Sequence, residues 1–167
     1  MANTSNAALS RTSKSLAVAN YFIYRSNLAS KESLPGITNK KLQKLLYYSQ
    51  AWSLALRNKR LFKDDIEAWV HGPAVRSVYT AFKQYSFGEI KTDVSKDDFS
   101  ILSAEELELL NTIWSVYGKY DADYLEALTH SESPWQEARN GLAAHQSSSK
   151  VISPDTMKAF YGEKIKK

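Results

Sequence analysis

KLQKLLYYSQAWSLALRNKRLFKDDIEAWVHGPAVRSVYTAF, Lys41–Phe82, joins an aromatic-loaded helix to a short extended run that ends in His71-Gly72-Pro73. Leu42, Leu45, Leu46, Ser49 and Ala55 recur at helical spacing with Trp52 or Ser53 between them, and Thr38 stands where an N-cap belongs. A helix is therefore predicted from Asn39 to about Leu56. Tyr47, Tyr48 and Trp52 follow the same stripe, and one helix face cannot bury all three. Either both faces of a central helix are core, or some rings lie at a core edge or groove that suits a protein interface. Arg57, Lys59 and Arg60 suit the negative end of the helix dipole. The run Leu61–Val70 lacks helical periodicity, and Ile66–Val70 is predicted to be extended. Gly72-Pro73 punctuates it, and Pro73 is predicted in the first turn of a helix carrying Val75, Val78, Tyr79 and Phe82.

Outward from this block, Leu16, Ala19, Phe22 and Ile23 argue for an amphipathic helix over Ser13 to about Leu28, which Leu34-Pro35-Gly36 interrupts. The polar stretch 86–101 holds at most a short strand or loop. Ser103 and Glu106 have capping-box spacing ahead of a helix with Leu107, Leu110, Ile113, Trp114 and Tyr117. Asp121 caps a short helix, Pro134 starts another, and Ser153-Pro154-Asp155 opens a last, short one with Met157, Phe160 and Tyr161. The predicted fold is mainly α: one compact bundle of six to seven helices with a short extended segment or small hairpin near 66–70 and 86–101. Residues 1–12 are expected to form a flexible arm, 13–140 the helical domain, and 141–167 a hinge and short helix packed on or extending it.

The chain of 167 residues is 43% hydrophobic and has no cysteine, which removes disulfides, thiolate metal sites and cysteine nucleophiles. No apolar run approaches the roughly 18–20 residues of a membrane span and the start has no secretory apolar region, so a cytoplasmic protein without membrane contact is expected. Net charge is +4, unevenly spread: residues 1–63 carry eleven Lys/Arg against Glu32 alone, and residues 64–167 carry 11 basic and 17 acidic side chains. The basic half either steers an acidic protein or nucleic acid, or lies against the acidic half of the same fold.

Signatures of known chemistry are missing. His71, His130 and His145 do not share the i, i+4 spacing of a helical metal site, and GxSxG, P-loop and GxGxxG patterns are absent. A joint role for His71 and His130 would need convergence in space. Asp64-Asp65, Asp97-Asp98 and Glu105-Glu106 are adjacent pairs whose side chains diverge. No catalytic residue, cofactor site or metal ligand is assigned. Basic residues interleaved with aromatics suit nucleic acid, but the link from Arg57 to Pro73 is too long for a helix-turn-helix.

KLQKLLYYSQAW, EAWVHGPAVRSVY and LTHSESPWQEAR, in that order between about Leu16 and Arg139, resemble the Panacea domain, the SocA-like or GepA-like antitoxin family of bacteria and phages. The match is carried by Leu42, Lys44, Leu45, Tyr47, Tyr48, Trp52, Trp69, His71, Gly72, Pro73, Tyr79, His130, Pro134 and Trp135. The resemblance implies a helical domain without enzymatic activity that neutralises a toxin encoded by the adjacent gene through direct binding, as a homo-oligomer or a toxin–antitoxin heterotetramer. It leaves room for an adaptor delivering the toxin to a protease. A nucleic-acid-binding regulator and an enzyme reversing the toxin's action are the lesser readings. Partner contacts are expected among Tyr47, Tyr48, Trp52, His71, Arg76 and Tyr79. Trp69, Gly72, Pro73, Pro134 and Trp135 are expected to define the fold, so that Trp69→Ala unfolds it while Arg76→Glu leaves it folded and weakens binding.

Overall fold

The computed structural model describes residues 12–32 and 34–166; the expected flexible arm falls almost wholly outside them. In chain order come α1 (Lys14–Ser30), α2 (Asn39–Arg57), strands β1 (Glu67–Trp69) and β2 (Gly72–Ala74), then α3 (Arg76–Phe82), α4 (Ala104–Tyr117), α5 (Ala122–His130), α6 (Ser133–Ala138) and α7 (Pro154–Ile165). The fold is mainly α, with seven α-helices among the described residues. Short 3₁₀ turns follow at Lys83–Tyr85 and Lys96–Phe99. The caps read from sequence form: Thr38, Asp121 and Ser153 accept the N–H of Lys41, Tyr124 and Thr156, and Ser103 and Glu106 close a reciprocal box; Ser13, expected inside the first helix, instead caps it by accepting the N–H of Leu16.

Helix α2 is the axis of the molecule. Helices α1, α3, α4, α5 and α7 and strand β2 pack around it, and every residue from Leu42 to Ala51 is buried. Both faces of α2 are therefore core. Its polar side chains serve backbone that lacks regular partners. Gln50 accepts the N–H of Leu61 and Phe62 and donates to the Phe62 carbonyl, while Gln43 accepts the N–H of Val75. A buried amide that bonds loop backbone satisfies both itself and the loop.

Glu67, Ala68 and Trp69 pair antiparallel with Ala74, Pro73 and Gly72 across a two-residue turn, Val70-His71. Gly72-Pro73 does not restart the chain as a helix; it is the returning strand, and α3 begins at Arg76. Pro73 is tolerated because its backbone faces α2, where its carbonyl accepts from Lys44 Nζ at 3.1 Å, so no ladder N–H is needed there. Gly72 has φ +103°. On the other side of β1, Ala68 N–H bonds Lys150 O and Ile152 N–H bonds Ile66 O, so the segment around Val151 shields that edge.

The stretch 86–101 forms no hairpin. It makes one bridge, Glu89 to Thr38, and then a 3₁₀ turn that buries Phe99 against Tyr21 and Tyr24 of α1. The last helix is longer than expected at 12 residues and lies along α2. Its Tyr161 donates to Glu132 at 2.9 Å, as Tyr48 does at 2.8 Å, and the Tyr161 hydroxyl lies 3.4 Å from that of Tyr47. Burial raises the Glu132 carboxyl above its ordinary value against the pull of the two hydroxyls, and burial likewise raises Tyr47, Tyr48 and Tyr161.

Candidate partner-binding cleft

The hairpin sits where two distant stretches of chain meet. Trp135 Nε1 donates to the Trp69 carbonyl at 2.8 Å, and Arg139 donates to the Ala68 carbonyl at 2.8 Å. Arg139 also lies over the Trp135 ring, 5.1 Å from its centroid, and donates to the carbonyls of Ala143 and Gln146. One guanidinium thus holds both the strand and the loop that covers it, which uses its fixed fork of donors.

A cleft of about 870 Å³ opens beside the hairpin. Its walls come from the start of α2 (Thr38, Lys40, Lys44), the hairpin (Trp69, His71, Gly72), α3 and the following turn (Arg76, Tyr79, Lys83, Phe87), and the start of α5 with Ser147–Ser149. Trp69 and Tyr79 meet edge to face, centroids 4.9 Å apart, and the Arg76 guanidinium lies 5.1 Å from the Trp69 ring centre. Arg76 donates two hydrogen bonds to Glu67, at 2.7 and 3.1 Å. Burial works against ionisation of Glu67, but bonds from Arg76 and Trp69 hold its carboxyl below the usual range. Phe87 projects from the turn after α3 with 97% of its surface exposed, and Ser86 before it has a left-handed φ of 52°.

Under the hairpin turn lies a polar cluster centred on Glu126 of α5. Glu126 accepts from His71 Nδ1 at 2.8 Å and ion-pairs with Lys40, which also reaches Asp123 at 2.8 Å. Burial opposes ionisation of Glu126, yet Lys40 and His71 hold its carboxyl below the ordinary value. His130 Nε2 stands 4.0 Å from the same carboxylate without a hydrogen-bond partner, while its ring stacks on Trp135 at 3.9 Å. Burial lowers the His130 pKa, against the Glu126 charge. Lys44 is wholly buried beneath Gly72, and burial brings its amine down to about 7 in spite of Glu126. His71 and His130 therefore do converge, through Glu126, but no group of three His, Asp or Glu with metal-holding geometry exists among the described residues.

The sequence model of the antitoxin SocA-like Panacea domain matches residues 42–136. The chain belongs to that family. No curated protein and no solved structure matches it. The matched span runs from the first turn of α2 into α6, so it contains the hairpin, most of the cleft walls and Trp135. In this Panacea domain no described helix is long and apolar enough to cross a membrane.

The residues read from sequence as partner contacts separate into two sets. Tyr47 and Tyr48 are fully buried beside Glu132 and present no surface to a partner. Trp52 is partly buried, with its indole N–H donated to Tyr117 at 2.9 Å and its ring 5.0 Å from that of Tyr161. His71, Arg76 and Tyr79 share the cleft. Trp69, expected as a packing residue, is only half-buried and forms part of the same wall. Pro134 and Trp135 are buried at the start of α6, and Pro73 is buried in β2. Sequence reading missed Lys83 and Phe87. Their signal was an aromatic residue inside Ser86-Phe87-Gly88, a turn sequence where packing offers no reason for one.

Proposed function

We propose that this Panacea domain is the antitoxin of a toxin–antitoxin pair and neutralises its cognate toxin protein, encoded by the adjacent gene, by direct binding without catalysis. The reading locates the contact surface on the cleft rim formed by Trp69, His71, Arg76, Tyr79 and Phe87. The observation that carries it is Phe87. A fully exposed phenylalanine gives up roughly 2–3 kcal/mol of burial that a partner can recover. It stands beside a half-buried Trp and an exposed Tyr and Arg, the residue types that dominate binding energy at protein interfaces. The hairpin carrying Trp69 is braced from α2, α5 and α6, so the rim is pre-organised and loses little entropy on binding. The one amine at the Glu126 cluster with a lowered pKa, Lys44, is wholly buried and donates to the Pro73 carbonyl, which favours a structural role for it and a binding role for the cleft.

Co-expression with the adjacent toxin gene should restore growth, the two proteins should co-purify, and protection should require the antitoxin in at least equimolar amount. Rescue by a substoichiometric amount would point to catalysis instead, and lack of association at micromolar concentration and low salt would end the direct-binding reading.

A further inference from the structure

The lining of the cleft is unevenly charged. Lys40, Arg76 and Lys83, with His71, line it against the single lining carboxylate of Asp123, which Lys40 pairs, while Lys44 beside them is wholly buried. The carboxylates just behind the wall are already engaged, Glu67 by Arg76 and Glu126 by Lys40 and His71. Lys83 and Lys44 have no carboxylate within ion-pair distance among the described residues. The cleft also contains the first turn of α2, which has no acidic residue of its own to offset the positive end of a 19-residue helix. Lys83 is exposed, so pairing it costs little desolvation, and it opens the 3₁₀ turn that Phe87 follows two residues later.

We infer that the cleft receives an acidic segment of the partner protein, whose carboxylates meet Lys83 and Arg76 while Phe87 enters an apolar pocket beside that segment. This rests on the antitoxin reading and names the chemistry of the toxin face it recognises. A nucleic acid would bring phosphates to the same cations, but as a continuous anionic backbone it would also pass Asp123, Glu67 and Glu126 at the cleft walls. Individual carboxylates on a protein can be placed to avoid them. Protein interfaces use such arrangements mainly to raise the association rate and to reject wrong partners. The apolar ring then supplies slow dissociation.

The test is stopped-flow or biolayer kinetics of the purified full-length protein with the purified toxin of the adjacent gene, at about 20 and 300 mM NaCl. The wild-type association rate should fall at least ~10-fold over that salt range. Lys83→Glu, at a side chain that makes no hydrogen bond or ion pair among the described residues, should slow association about 5–10-fold at low salt and flatten the salt dependence, while Lys83→Arg restores both. Phe87→Ser should leave the association rate unchanged within about twofold and speed dissociation ~10-fold or more. A complex that forms at a rate indifferent to salt and to Lys83→Glu overturns the acidic segment and leaves the antitoxin reading standing. No complex with the wild-type protein overturns both. Salt-dependent binding of promoter DNA in place of toxin, lost in Lys83→Glu, would assign the cations to nucleic acid and overturn the inference.

Discussion

The indole of Trp135 donates its hydrogen bond to the main-chain carbonyl of Trp69, two tryptophans that lie 66 positions apart in the chain and end 2.8 Å apart in space. The same two segments are joined again by Arg139 to the Ala68 carbonyl. Through these bonds the Thr129–Arg139 block holds the hairpin, and the hairpin in turn makes one wall of the cleft. The chain's most distinctive motifs thus form one structural unit whose outer surface is the candidate interface.

Removing the Trp135 bond alone should be costly. Trp135→Phe keeps most of the ring and orphans a carbonyl, for a loss of about 1–3 kcal/mol. Trp135→Ala adds a cavity and should cost about 3–5 kcal/mol. Trp69→Ala, by contrast, truncates a half-buried ring on the cleft wall and should cost only about 1–2 kcal/mol, leaving a folded protein with weakened toxin binding. Urea titration of the three variants measures the order, and a Trp69→Ala protein less stable than Trp135→Ala would contradict it.

Gly72 should not accept a side chain. A Cβ there would lie 2.5 Å from Lys44 Cε and 3.0 Å from Thr129 Oγ1, at φ +103°. Gly72→Ala should lower stability by at least about 2 kcal/mol, since the backbone strain adds to the displacement of a buried lysine. Thermal unfolding reads the loss.

Glu132 should leave a pH signature. Its folded pKa is raised above 4.5 by burial, so between 4.5 and that raised value the folded state binds more protons than the unfolded one. Its contribution to stability is then full below 4.5 and declines as pH rises through the folded pKa. Glu132→Gln, which keeps the shape and a hydrogen-bonding group, should remove this decline. Urea midpoints at pH 5 and 7 test it, with the variant expected to show the smaller difference.

Lys44 should act in the opposite sense over a higher range. Its folded pKa of about 7 lies below the ordinary 10.5, so between these values the unfolded chain binds the extra proton and stability rises with pH. Lys44→Met should abolish that rise between pH 7 and 10 and should also lose the bond to the Pro73 carbonyl. The slope of stability against pH separates the two consequences.

Arg76→Glu should leave far-UV circular dichroism unchanged, because Arg76 is exposed and its bonds to Glu67 are surface ones. It places two carboxylates face to face on the cleft wall. Toxin binding should weaken by 10-fold or more in calorimetry, and unchanged affinity would remove this rim from the interface.

What the sequence determined by itself was local. Thr38, Ser103, Asp121 and Ser153 announce their helices because a cap needs only a side-chain oxygen three residues before the amide it satisfies. The α2 stripe and the Panacea blocks likewise depend on near neighbours or on fixed order along the chain. Tertiary structure decided the rest. Whether Tyr47 and Tyr48 faced a partner or the core depended on Glu132, 84 positions from Tyr48, and on Tyr161 of α7, 114 positions from Tyr47, arriving beside them. Gly72-Pro73 became a strand because Lys44, Trp135 and Arg139 offered bonds to a hairpin there, which outweighed the helix preference of Pro73 at a local start. His71 and His130 carry no shared spacing, and only the packing of α5 against the hairpin set both beside Glu126. The cleft is likewise invisible in sequence, since Lys40, Arg76, Lys83 and Phe87 become neighbours only when α2, α3 and the hairpin close around it.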